Sequence, residues 1–189
     1  MKTGNYSFHI TLEDPAFLPF YKGSTFRGVL GHALKRIICA LKHTSCKDCM
    51  LKPHCAYALV FETRHARPAP ESNRISDAPH PLVIEPPLTP RQTFDRGDTL
   101  DCHLLLFGEL NQQLPYFVYA FDQMGRLGIG KQINGRRSGF SLSAVTLGDT
   151  YLYRKGTDTI TVPDTLPETT LDLHQETPPI HQLRLRLIT

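Results

Sequence analysis

The apolar residues of this chain change their period in a fixed order. In YSFHITL, residues 6–12, Tyr6, Phe8, Ile10 and Leu12 alternate with polar neighbours, the signature of a half-buried strand. From Phe26 the residues Val29, Leu30, Ala33, Leu34, Ile37, Ile38 and Leu41 recur at helical spacing. This predicts a helix over residues 25–42, with Ser24 or Thr25 as its cap. HPLVIEPPL reads as a short strand closed by Pro86 and Pro87, and TLDCHLLLFGEL, residues 99–110, as a longer one in which Cys102 belongs to the core. LPYFVYAFDQMG sets Leu114, Phe117, Phe121 and Met124 on one side of a second helix. FSLSAVTL is a strand again, and TYLYRKGTDTITV an added hairpin turning at Lys155-Gly156.

Strand, helix, strand, strand, helix, strand is the split βαβ order. The expected class is α+β, a ferredoxin-like (RRM-like) βαββαβ domain over residues 1–162, with a cysteine-rich insertion at 43–60. Two helices should cover one face of a four-stranded antiparallel sheet. Residues 62–80 are polar and proline-bearing and read as a long loop. Residues 163–182 hold Pro163, Pro167, Pro178 and Pro179 and read as a linker. LRLRLIT, residues 183–189, alternates like a strand that pairs with the edge of this domain or opens a second one.

Of the 189 residues 40% are apolar, enough to bury a core. No apolar run approaches the roughly 20 residues that span a bilayer. MKTGNYSFHITLED lacks the apolar region of a signal peptide, so the chain reads as cytoplasmic, with no membrane partner. Its cysteines then read as thiols or metal ligands before disulfides. The net charge is +3. Residues 163–182 contribute four acids and no Lys or Arg, so the remainder carries +7, a balance that suits either an anionic partner or ordinary solubility.

Cys39, Cys46, Cys49 and Cys55 follow C-x6-C-x2-C-x5-C. Four thiolates complete a tetrahedron around zinc, and four cysteines also suit an iron–sulfur cluster. Zinc is the expectation, in a structural role, because four protein ligands leave no open position for a reacting water. Lys47 and Lys52 would offset the thiolate charge, and His43 and His54 are reserve ligands. The bland alternative is a set of buried thiols, but Lys, Asp and Pro punctuate these residues as they would not a core.

On the helical wheel His32, Arg36, Cys39 and His43 form a stripe opposite the apolar face, with Lys35 and Lys42 beside it. His32 is therefore a surface residue, either a solvated histidine or a general acid or base beside phosphate-holding cations. Between the second helix and the last core strand lies LGIGKQINGRRSG, preceded by Gly125-Arg126, and glycines there are interspersed with Arg126, Lys131, Arg136 and Arg137. It matches neither a Walker loop nor a dinucleotide fingerprint. It fits an RNA-backbone contact or a flexible connection equally well.

Taken together, GSTFRGVLGHALKRIIC, SCKDCMLKPHCAYALVFE, HPLVIEPP, LLLFGELNQQLPYFVYAFDQMGRLGIGK and the later GF resemble the N-terminal half of the CRISPR-associated, RAMP-superfamily endoribonucleases that process precursor CRISPR RNA. The resemblance covers residues 6–147. It implies two ferredoxin-like domains in tandem, so LRLRLIT would be the first strand of a second domain. It implies metal-independent cleavage, with a 2′-hydroxyl attacking the adjacent phosphate to leave a 2′,3′-cyclic phosphate and a 5′-hydroxyl. It points to His32 as the catalytic histidine, with Tyr21 before the helix and Lys35 as further catalytic candidates. Arg27, Lys35, Arg36, Lys42, Lys131, Arg136 and Arg137 become candidate RNA contacts, and CRISPR repeat RNA and other CRISPR-associated proteins the implied partners. Two other readings use the same residues: a non-catalytic RNA-binding subunit of a CRISPR effector complex, and a zinc-stabilised module that binds protein.

Overall fold

The computed structural model describes residues 1–67, 78–133, 135–157, 159–162 and 165. The elements run β1 (Thr3–Leu12), β2 (Ala16–Phe17), α1 (Gly23–Ile38), α2 (Ala56–Phe61), α3 (Thr63–Ala66), β3 (Leu82–Glu85), β4 (Thr93–Phe94), β5 (Thr99–Phe107), α4 (Leu114–Leu127), β6 (Ile129–Ile133), β7 (Arg136–Ser138), β8 (Phe140–Leu147) and β9 (Thr150–Arg154). Short 3₁₀ helices cover Lys52–His54 and Gly108–Gln113. The main sheet has the order β3-β5-β1-β8-β9, and every neighbouring pair is antiparallel. This is a mixed α/β domain with antiparallel sheets, an arrangement compatible with the ferredoxin-like expectation.

The alternation in the strands decides which face is buried. Tyr6, Phe8, Ile10 and Leu12 of β1 and Leu100, Cys102, Leu104 and Leu106 of β5 all point into the core. There they meet Phe26, Leu30, Ala33 and Leu34 of α1 and Leu114, Phe117, Phe121 and Met124 of α4. The Phe8 and Phe121 rings lie 4.2 Å apart between centroids. Each such side chain contributes about 1.5–3 kcal/mol on burial, and the two helices and the main sheet share one apolar layer. The opposite face is polar and laced across the strands: Thr11 to Ser143 at 2.7 Å, Ser7 to His103 at 2.9 Å, and His9 to both Asp101 at 2.8 Å and Thr146 at 3.3 Å.

Two buried polar groups join segments far apart in sequence. The Tyr6 hydroxyl donates to Asn111 Oδ1 at 3.0 Å, and Asn111 Nδ2 donates to the Leu106 and Gly108 carbonyls at 3.1 and 2.8 Å. Burial pushes the Tyr6 hydroxyl up to about 12. Lys22 is 0% exposed. Its ammonium donates to the carbonyls of Pro19, Phe20 and Thr89 at 3.2, 3.2 and 2.7 Å and faces the Phe94 ring. Burial holds its pKa below the usual lysine range. This cage ties the turn that enters α1 to the segment that precedes β4.

The sequence expectations change at several places. The predicted caps Ser24 and Thr25 lie inside the first turn of α1; the cap position is Lys22, which makes no capping side-chain bond. The helix ends at Ile38, not at 42, because Cys39 turns to an extended conformation with φ −69° and ψ 105°. Lys42 and His43 therefore leave the stripe that begins at His32. Residues 43–60 contain a 3₁₀ turn and α2, and the predicted loop 62–80 opens with α3. The glycine-rich loop is a hairpin of β6 and β7. The added hairpin is instead formed by β8 and β9; residues 159–162 form no strand. The predicted linker 163–182, apart from Thr165, and the predicted strand 183–189 lie outside the described residues.

The β6–β7 hairpin is held by close backbone approaches. Gly128 and Gly130 have φ of +75° and +79°, values that L side chains rarely adopt. A Cβ at Gly130 would stand 2.5 Å from the Phe17 carbonyl oxygen, and one at Gly128 would stand 2.8 Å from the Arg137 carbonyl oxygen. These glycines are therefore required by packing against β2 and β7, whatever the loop binds. Ser138 Oγ donates to the Asp14 carbonyl at 2.7 Å and pins the end of β7 beside β1.

Candidate nucleic-acid interface

The hairpin overhangs the N-terminal half of α1 and the end of α4, and a cavity of about 830 Å³ opens between them. Ser24, Thr25, Gly28 and His32 line it from α1, Arg126 from α4, and Gln132, Arg136 and Arg137 from the hairpin. No Asp or Glu lines it. His32 and both hairpin arginines are exposed, and among the described residues neither Arg136 nor Arg137 forms an ion pair. Arg126 reaches Asp122 at 3.2 Å, a surface i,i+4 contact worth about 0.3–0.5 kcal/mol, weak enough to yield to an anion. Three guanidiniums and one imidazole on the walls of one cleft suit a phosphate: the arginines offer forked donors and the histidine can move a proton.

A second cavity, of about 530 Å³, adjoins the first and shares Ser24, Gly28 and His32 with it. Arg27, Lys35, Tyr57 and Phe61 form its other walls. The Arg27 guanidinium lies 4.9 Å from the Phe61 ring centre and the Lys35 ammonium 5.1 Å from that of Tyr57. Burial raises the Tyr57 pKa, while Lys35 beside it pulls the other way.

The residues singled out by sequence thus separate. His32, Arg136 and Arg137 meet in the first cavity; His32, Arg27 and Lys35 meet in the second. Arg36, Lys42 and Lys131 line neither. Tyr21 is exposed, with its ring folded over Gly23, and it too lines neither cavity. Ser24, Thr25 and Gln132 were not singled out as site residues. Ser24 and Thr25 carried a local signal that pointed to capping, and no pattern marks Gln132.

Cys39, Cys46, Cys49 and Cys55 are free thiols of intermediate exposure and all line one small cavity of about 220 Å³, together with His54; His43 does not. Cys46 is raised, first by burial; Lys35 opposes this, and Glu62, Cys39 and Cys55 add to it. Lys52 donates to the Lys47 carbonyl at 2.6 Å. Four thiols on one cavity are a suitable donor set for zinc. Among the described residues, however, no three His, Cys, Asp or Glu side chains stand in a metal-holding arrangement. No described helix is long and apolar enough to cross a membrane.

The fold and the cleft define an antiparallel α/β domain with a basic, histidine-bearing groove. The chain belongs to the AF_1859_N family, an N-terminal domain, which matches residues 1–165. A relative from Archaeoglobus fulgidus, described as an uncharacterized protein, is 29% identical over 112 residues, 59% of this chain. The match spans 37% of that protein's length. Among solved structures, a chain of the Csm3-Csm4 subcomplex in the type III-A CRISPR-Cas interference complex aligns at 12% identity with a TM-score of 0.49, over 76% of this chain and 77% of that one.

Proposed function

We propose that this chain is the RNA-binding N-terminal domain of a ribonuclease that processes precursor CRISPR RNA. The observation that carries the reading is the first cavity, which His32 lines together with Arg126, Arg136 and Arg137 and which no Asp or Glu lines. The residue resemblance narrows the anion to CRISPR repeat RNA. In the reaction the 2′-oxygen gives its proton to a base and attacks the adjacent phosphorus. The bond from phosphorus to the 5′-oxygen breaks, and that oxygen takes a proton. His32 serves as the base or as the acid, and the arginines stabilise the charge that builds on the phosphate. No metal enters this step.

Replacing Arg136 and Arg137 together with Gln should weaken binding of single-stranded RNA. It should also flatten the dependence of log affinity on log salt by about 0.7 for each lost cation. An unchanged slope would remove the hairpin from the interface.

A specific observation favours the second reading, a non-catalytic RNA-binding subunit. Tyr21 and Lys35 do not share the arginine-lined cavity with His32. Incubating the full-length protein with repeat RNA in EDTA separates the two: cleavage supports the enzyme, and binding without cleavage supports the subunit.

The four cysteines are assigned a structural zinc ion that fastens the end of α1 to α2. Elemental analysis should find about one zinc ion per chain. Chelation should then expose four thiols to a thiol reagent, while Cys102, pushed up to about 12 by burial, reacts only on unfolding. Metal-free protein with four reactive thiols would overturn the assignment.

A further inference from the structure

The two cavities meet along one line of α1. Ser24, Gly28 and His32 are successive positions of an i, i+4 row, and these three residues line both cavities. The middle of that row is a notch. Gly28 is exposed, and a Cβ built there would meet nothing within 4 Å. Nothing in the fold requires glycine at this point of a helix, where it is less favourable than alanine. Gly31, one turn along, differs: its Cβ would stand 3.0 Å from the Phe61 ring, so the absence of a side chain lets that ring lie against α1. Phe61 in turn backs the Arg27 guanidinium and stacks with Tyr57, with ring centres 5.4 Å apart and planes 20° apart. One side of the notch is therefore lined by guanidiniums with no carboxylate, and the other by a cation-faced aromatic wall.

Resting on the RNA reading above, we propose that the second cavity is a nucleobase subsite. A single strand crosses α1 at Gly28. Its phosphate lies among Arg126, Arg136 and Arg137, and the adjoining base enters the second cavity and stacks on the flat face of Arg27. Bases of single-stranded RNA stack on guanidinium planes and aromatic rings, and such stacking tolerates any base. The notch lets the sugar-phosphate backbone pass close to the helix, beside the His32 side chain. Arg27 thereby acts through its plane as well as its charge, which lysine cannot reproduce.

The test uses the full chain with fluorescent oligouridylate and oligoadenylate, and with inorganic polyphosphate as a ligand that has no bases. Arg27→Lys keeps the charge and should weaken both oligonucleotides by roughly 5-fold or more, the lower end of a lost base stack. Its salt slope and its polyphosphate affinity should stay at the wild-type values. Gly28→Leu should fill the notch without disturbing the fold and should weaken the oligonucleotides more than polyphosphate. Wild-type affinity of both variants for the oligonucleotides would overturn the subsite. Equal losses for polyphosphate would overturn it too, leaving only an anionic groove. Failure of the broader reading looks different: the wild-type chain would bind neither oligonucleotide in a salt-dependent way.

Discussion

His32→Ala in the full-length protein is expected to slow cleavage of repeat RNA by about 10²–10⁴-fold, the usual contribution of a positioned acid or base. RNA affinity should change little, because the arginines that hold the phosphate remain. The ground is positional. His32 stands on the wall of the 830 Å³ cavity, exposed, on the same row of α1 as Ser24 and Gly28. It shares that cavity with cations from two other elements, which stabilise the phosphate as its charge grows. Single-turnover cleavage in EDTA is the measurement. A variant that cuts at the wild-type rate would remove His32 from the chemistry and leave it as a surface residue beside a binding groove.

The second large effect concerns stability and contrasts two glycines of the helices. Gly125→Ala in α4 should cost about 3 kcal/mol, at the upper end of overpacking effects. A Cβ there would stand 1.9 Å from the Phe140 carbonyl oxygen, which is backbone and cannot rotate away. The helix would have to lift off β8 and disturb the contact of Phe121 with Phe8. Gly28→Ala in α1 should do the opposite and stabilise the chain by about 1 kcal/mol, or about 2–4 °C in Tm, since its Cβ meets open space. Thermal unfolding of the two variants side by side decides the matter. Equal behaviour would mean that α4 does not rest on β8 as described.

Much of the scaffold was legible because a strand or helix with one buried face advertises its period locally. FSLSAVTL is β8 from end to end, and the alternation of Tyr6, Phe8, Ile10 and Leu12 names the buried side of β1. The errors fell where local preference lost to packing. Ala40 and Leu41 could continue α1, yet the chain turns at Cys39 to bring the four cysteines around one cavity. The glycines at 128 and 130 fitted an RNA-backbone contact or a flexible connection, and the fold shows them to be the points where a hairpin presses on its neighbours' backbones. Nothing in the sequence marked Lys22 as buried, because a carbonyl cage is built from residues 19, 20 and 89, which only the fold assembles.

The candidate site divides in the same way. The sequence alone determined that His32 lies off the apolar stripe of its helix, that cations cluster at 126–137, and that four cysteines fall within seventeen residues. Each of these is a matter of spacing along the chain. Only the tertiary structure decided that His32 shares a cavity with Arg136 and Arg137, about a hundred residues away, and not with Tyr21, eleven residues before it. Helical periodicity fixes direction within one element. Which elements face each other depends on the burial of Phe26, Leu30, Phe117 and Phe121 against a common sheet, and that packing turns scattered cations into one groove.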